Sequence, residues 1–272
     1  MNLEVVGPGS VALLGIPLDE NSSYLRGCAG GPARLREVMA SGSMNLCAED
    51  GTEVGTNRRF VDAGDVELAG GAASMSAVEA AVDGLLGRGA RVLSVGGDHS
   101  VTYPIVRAHA RRHPGLCLLH FDAHPDLYDD FQGNRFSHAS PFARIMEEGQ
   151  VSRLVQVGIR TLNTHQREQA ARFGVEMIQM KDWHPGLSFS FDGPVYLTFD
   201  LDALDPAFAP GVSHHEPGGL SVRDVLGSLS RSTFALVGAD VVELNPTRDP
   251  VGATAAVAAK LATELAARLL KP

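Results

Sequence analysis

The sequence predicts an α/β protein, a three-layer α/β/α sandwich around a central, mostly parallel eight-stranded sheet. Short apolar runs, β-branched or leucine-rich, alternate with longer stretches whose apolar residues recur at helical spacing. The runs are nearly continuously apolar, which indicates strands buried on both faces. The pattern continues over all 272 residues without a composition break, internal repeat or low-complexity tract, so residues 1–272 read as one domain. At this length, with 44% hydrophobic residues, the core needs no disulfide or structural metal to hold it.

Taken in order, VALLGI at 11–16 is short enough to be the first strand. The segment 41–57 has no clear periodicity and reads as a surface excursion before the second run, FVDA at 60–63. A helix over 73–88 then leads to the strand RVLSV at 91–95, and a helix over 101–112 leads to LCLLHF at 116–121. A helix over 139–148, the strand LVQV at 154–157, a helix over 164–173 and the strand VEMI at 175–178 continue the alternation. The strand VYLTF at 195–199, a helix over 221–230, the strand FALV at 234–237 and a helix over 253–270 complete it. The last helix is alanine-rich and amphipathic, suited to covering the sheet or to a subunit contact.

Composition removes several function classes. Against 23 basic residues stand 32 acidic ones, a formal net charge of −9, which argues against a nucleic acid or an anionic membrane and for something cationic as partner. Gly7-Pro8-Gly9 precedes its strand, whereas a nucleotide-binding glycine turn has to follow one. No phosphate-loop or GxSxG pattern occurs. The three cysteines form no CxxC pair, and the N-terminus has neither a basic region nor an 18-residue apolar run, so the expected location is cytoplasmic.

Three strands run directly into ionisable residues: RVLSVGGDHS at 91–100, LCLLHFDAHPD at 116–126 and VYLTFDLDALD at 195–205. Sites in open parallel sheets form beyond the carboxyl ends of strands, so these segments should converge. Asp122, His124 and Asp126 alternate, as do Asp200 and Asp202, and extended backbone sends alternate side chains one way. With His99 the set holds four carboxylates and two imidazoles, too much like charge to gather without cations. Two divalent ions would neutralise the four aspartates, and a sulfur-free, oxygen-rich set favours manganese over zinc.

GGDHS at 96–100, FDAHPD at 121–126, TFDLDALDP at 198–206, EPGGLS at 216–221 and DVVELNP at 240–246 resemble the arginase/agmatinase ureohydrolase family over essentially the whole chain. NSSYLRGCAGGPARLRE at 21–37, HPDLYDDFQGNRFSHASPFARIMEEG at 124–149 and LDPAFAPGVSH at 204–214 are most similar to plant-type arginases, without the organelle transit sequence of those proteins. The resemblance implies an arginase/deacetylase-like fold, a trimer or hexamer, and a dimanganese site with His99, Asp122, His124, Asp126, Asp200 and Asp202 as ligands; cobalt or nickel could replace manganese. It further implies that a hydroxide bridging the metals attacks the carbon of a small cationic guanidino substrate, L-arginine first, giving L-ornithine and urea.

By the same resemblance Asp126 and His138 belong to the catalytic set, His138 transferring protons, and Glu243 anchors the guanidinium through paired hydrogen bonds. Asn134, Ser137 and Asn163 are expected at the amino-acid end of the substrate. His214 is expected to line the guanidinium pocket or to support a ligand, and His215 to be exposed. Asp98 is expected to orient the His99 turn, Cys117 to be core, and His120 to face away from the ligands. Agmatine or another guanidino acid is the alternative substrate, and a non-catalytic guanidino sensor the alternative class.

Overall fold

The computed structural model describes residues 1–271. Eight strands, all paired in parallel, alternate with helices: β1 Val11–Ile16, α1 Gly31–Ala40, β2 Phe60–Asp65, α2 Gly71–Gly87, β3 Arg91–Gly96, α3 Thr102–Arg112, β4 Cys117–Phe121 and α4 Pro141–Glu147. The second half follows with β5 Arg153–Ile159, α5 Thr164–Phe173, β6 Glu176–Gln179, β7 Ser190–Asp200, α6 Val222–Arg231, β8 Thr233–Val242 and α7 Ala253–Leu270. The sheet order is β2-β1-β3-β8-β7-β4-β5-β6.

Each strand sends alternate residues to opposite faces, and the core divides accordingly. Leu93, Leu119, Phe121 and Leu197 pack with α1, α6 and α7 on one side. Val92, Leu118 and Tyr196 pack with α2, α3 and α4 on the other, beside Ala170 of α5. The strands are therefore covered twice, which is why they read as nearly unbroken apolar runs. Helix α1 is absent from the periodicity reading because it opens on Gly30-Gly31-Pro32, a turn signal. Proline suits the first turn of a helix, and Gly31 is needed because a Cβ there would meet the Leu244 carbonyl at 2.9 Å.

The topology places the chemistry. After β3 the chain crosses to β4, leaving a gap that β7 and β8 fill later, so β3, β8, β7 and β4 lie side by side at the centre. Four separated stretches of sequence thus end along one edge of the sheet.

Candidate metal centre

Of the four central strands, β3, β4 and β7 each lead into a turn that is fixed by its own acidic residue. Beyond β3, Asp98 accepts the Ser100 N–H at 3.1 Å and caps the short turn carrying His99, in line with its expected orienting part. Gly97 has no alternative, because a Cβ would lie 1.7 Å from the Leu18 carbonyl, and its own carbonyl accepts the Glu243 N–H at 2.9 Å. After β4, Asp122 accepts the His124 N–H at 2.6 Å; after β7, Asp200 accepts the Asp202 N–H at 2.8 Å. Each of these aspartates turns its own backbone so that the residue two further on joins it. Asp126 and Glu243 both have positive φ, 51° and 65°, a strained conformation for residues with a Cβ.

The six residues gather at two poles. At one, His99 Nδ1 lies 3.1 Å from Asp122 Oδ2 and 3.2 Å from both Asp126 Oδ2 and Asp200 Oδ2. At the other, His124 Nδ1 lies 3.3 Å from Asp122 Oδ1 and 3.1 Å from Asp202 Oδ2. Asp122 spans both with its two oxygens.

The hydrogens around His99 decide what this arrangement fits. Its Nε2 lies 3.0 Å from the Thr198 hydroxyl, which itself donates to Asp240 at 2.6 Å, so Nε2 must carry the proton. Burial disfavours charge on His99, but the three carboxylates outweigh it and hold a proton on Nδ1 while nothing else is bound; a neutral His99 would turn the lone pair of Nδ1 toward those carboxylates. Lone pair against carboxylate is repulsive unless a cation stands between them. Without one, only protons could neutralise the cluster. Burial pushes Asp200 well above the usual carboxylate range, with the charges of Asp202 and Asp122 adding to it, and burial raises Asp202 to about 6 against the pull of His124. The donor set fits two hard or borderline divalent cations.

His120 corrects an expectation. It points toward the ligands, its Nε2 2.8 Å from Asp122 Oδ2, while Gln156 donates to its Nδ1 at 3.0 Å and Phe142 stacks on the ring at 3.9 Å. Residues 120, 122 and 124 share parity, and the alternation rule would have placed it there. Glu216, also unforeseen, lies 3.6 Å from His124 Nε2.

Beside the acidic cluster stands the pair Glu243–His138. Glu243 Oε1 accepts the His99 N–H at 3.0 Å and His138 Nδ1–H at 2.9 Å, and Oε2 accepts the Cys28 thiol at 3.1 Å. Burial opposes its charge, but the His138 hydrogen bond and charge outweigh burial and hold the carboxyl down to about 2. Burial likewise disfavours charge on His138, and Glu243 outweighs it, raising the imidazole to about 9.

Both residues, with Asp126, Asp200, Asp202, His124 and His214, line a cavity of about 240 Å³. The His214 ring lies 5.3 Å from His138 and 5.7 Å from His124. The other expected distal residues are elsewhere. Asn134 donates to Asn21 at 3.1 Å, Ser137 is buried, and Asn163 caps α5 by accepting the Gln166 N–H at 2.9 Å while donating to Tyr128 at 2.6 Å. The outer wall consists instead of Ser23, Tyr128, Phe131, Thr161, Gln166 and Glu216, with no lysine or arginine among the lining residues. His215 is exposed and bonds the Pro210 carbonyl, and Cys117 is buried in the core.

Compared with known proteins, residues 9–267 match the model of the arginase family. The chain belongs to the arginase family. It is 48% identical to arginase 1, mitochondrial, of Arabidopsis thaliana over 96% of this chain and 82% of that one. It is 35% identical to an agmatinase of Bacillus anthracis, over 94% and 90% of the two chains. The solved arginase of Medicago truncatula superimposes with a TM-score of 0.90 at 42% identity, covering 98% of this chain and 89% of that one. The plant relatives carry mitochondrial or chloroplastic designations, which overturns the cytoplasmic expectation. That expectation rested on cysteines that form no CxxC pair and on an N-terminus with neither a basic region nor an 18-residue apolar run, which fit any reducing aqueous compartment. No helix among the described residues is long and apolar enough to cross a membrane.

Proposed function

We propose that this family member hydrolyses L-arginine to L-ornithine and urea with two manganese ions, held by His99, Asp122, Asp126 and Asp200 at one pole and His124, Asp122 and Asp202 at the other. The observation that carries the reading is the buried His99 Nδ1 within 3.2 Å of three carboxylate oxygens, two of them from Asp126 and Asp200, which line one cavity with the Glu243–His138 pair. Bound there, the metals would supply charge neutralisation and Lewis-acid activation of water at neutral pH.

The chain's own residues do the rest. Glu243 is ionised and held from both sides, so it presents a fixed carboxylate to a planar guanidinium, the best geometric match for paired N–H donors. His138, hydrogen-bonded to that carboxylate, is placed to move a proton to the departing amine. At the outer end, Tyr128 accepts from Asn163 and keeps its own O–H free to donate. With the Gln166 side-chain amide it offers neutral donors to an α-carboxylate. Arginine is favoured over agmatine because the plant arginases are nearer in sequence than the agmatinases. We read 1–272 as one ureohydrolase domain that assembles with copies of itself as a trimer or hexamer.

Urea release from arginine, agmatine and 4-guanidinobutyrate by manganese-loaded enzyme tests the assignment. The highest kcat/KM should fall on arginine; a higher value on agmatine would reverse the substrate, and none on any of the three would favour a sensor.

A further inference from the structure

His138 has a second nitrogen, and one residue outside the expected site holds it. Nδ1 is committed to Glu243 at 2.9 Å. Nε2 receives two contacts from Ser23: the main-chain N–H at 3.1 Å and the hydroxyl at 2.8 Å. A backbone N–H can only donate, so Nε2 presents its lone pair and the ring hydrogen sits on Nδ1.

The position of Ser23 is itself fixed by neighbouring segments. The Asn21 N–H and the Ser22 hydroxyl both donate to the buried Asp98 carboxylate, at 3.0 and 3.4 Å. The Asn21 amide donates to Ser100 at 3.1 Å and accepts from Asn134 at 3.1 Å, and the Asn21 carbonyl accepts the N–H of His138 itself at 3.2 Å. Asn134, expected at the substrate, thus serves the segment that reaches His138. Ser23 is half-buried and lines the cavity, so its hydroxyl joins the imidazole to water.

We propose that Ser23 is a positioning residue for His138, holding it as the Nδ1–H tautomer and passing protons between Nε2 and water through its hydroxyl. Water gives a proton to Ser23 Oγ as the hydroxyl's own proton moves to Nε2; the ring becomes imidazolium, Ser23 is unchanged, and the reverse path returns the proton. Two opposing influences act on the ring. Burial, with His214 and the Ser23 N–H, favours the neutral form, whereas Glu243, Asp98 and Asp126 favour the imidazolium and outweigh it.

The kinetic part of this inference rests on the proposed hydrolysis; the tautomer does not. Ser23→Ala keeps the N–H and removes the hydroxyl. In manganese-loaded enzyme it should lower kcat on arginine about tenfold, below the full loss of a general acid or base, with KM and manganese content unchanged. Added imidazole should restore part of the rate. Wild-type kcat, or a loss confined to KM or metal content, would overturn the relay. Neutron diffraction from a deuterium-exchanged crystal of the loaded enzyme at a pH well above 9, where the ring is neutral, reads the tautomer without substrate. Deuterium on Nδ1 with none on Nε2 is expected, and deuterium on Nε2 would overturn the positioning. Should the wild type release no urea, the functional reading fails while the neutron result still decides the hydrogen bonds of His138.

Discussion

Two groups of buried carboxylates lie at this sheet edge, and they are satisfied in opposite ways. Asp240, 0% exposed, accepts three hydroxyls, from Thr102 at 2.9 Å, Tyr196 at 2.8 Å and Thr198 at 2.6 Å. Asp122, Asp126, Asp200 and Asp202 face one another and two imidazoles. Burial raises the pKa of Asp240 and of Asp200 alike, yet no neighbouring carboxylate adds to that rise at Asp240, whereas the charges of Asp202 and Asp122 add to it at Asp200. A buried carboxylate ringed by hydroxyls is a finished structural element; carboxylates ringed by each other are half of a site. The Thr198 hydroxyl connects the two, since the donor that satisfies Asp240 also fixes the tautomer of His99.

Substitutions can break this contrast, beginning with the largest effect. Asp200→Asn should remove manganese binding and lower urea release by more than the ~100-fold that loss of a supporting residue around a metal costs. Assays of metal content and turnover check it. In metal-free protein the same change should stabilise the fold by about 1 kcal/mol or more, because folding must protonate Asp200 or bury its charge, and asparagine avoids both. His138→Ala should lower kcat by about a hundredfold or more at unchanged metal content. Asp240→Ala should behave as an ordinary core lesion, costing about 3 kcal/mol in denaturant unfolding with or without metal, since it strands three hydroxyls.

His109 extends the contrast to a buried group that has no carboxylate partner. Its Nδ1 bonds the Ile105 carbonyl at 3.0 Å, its Nε2 has no partner, and Gly238 leaves the room it occupies. Burial lowers its pKa to about 4, against an unfolded value near 6.5. Between those values the unfolded chain binds the extra proton, so stability should rise with pH across that window. About 3 kcal/mol should be lost on acidifying to pH 4, and His109→Gln should flatten that part of the curve.

The sequence made the inner half of the site legible because alternation after a strand is geometry. Asp122, His124, Asp126, Asp200 and Asp202 share parity within their segments, and that rule applied consistently would also have turned His120 inward. The outer half was not legible, because loop side chains follow hydrogen bonds and not a period. Asn163 and Gln166 carry a readable sign, a capping residue with glutamine three positions on, which marks Asn163 as a helix cap. Ser23 and Asn21 carry none; their places are set by Asp98, 77 residues from Asn21 in the chain. Tyr196 and Asp240, interior to strands, read as core, and only the fold pairs them.

The central claim, that the facing carboxylates require cations whereas Asp240 does not, is tested most directly by thermal unfolding of wild type, Asp200→Asn and Asp240→Ala, each metal-free and titrated with manganese. The wild type should bind two ions per chain and gain stability with each addition, Asp240→Ala should start lower and show a gain as well, and Asp200→Asn should start higher and gain little. A wild type that binds no divalent cation and unfolds at one temperature with or without manganese would contradict it.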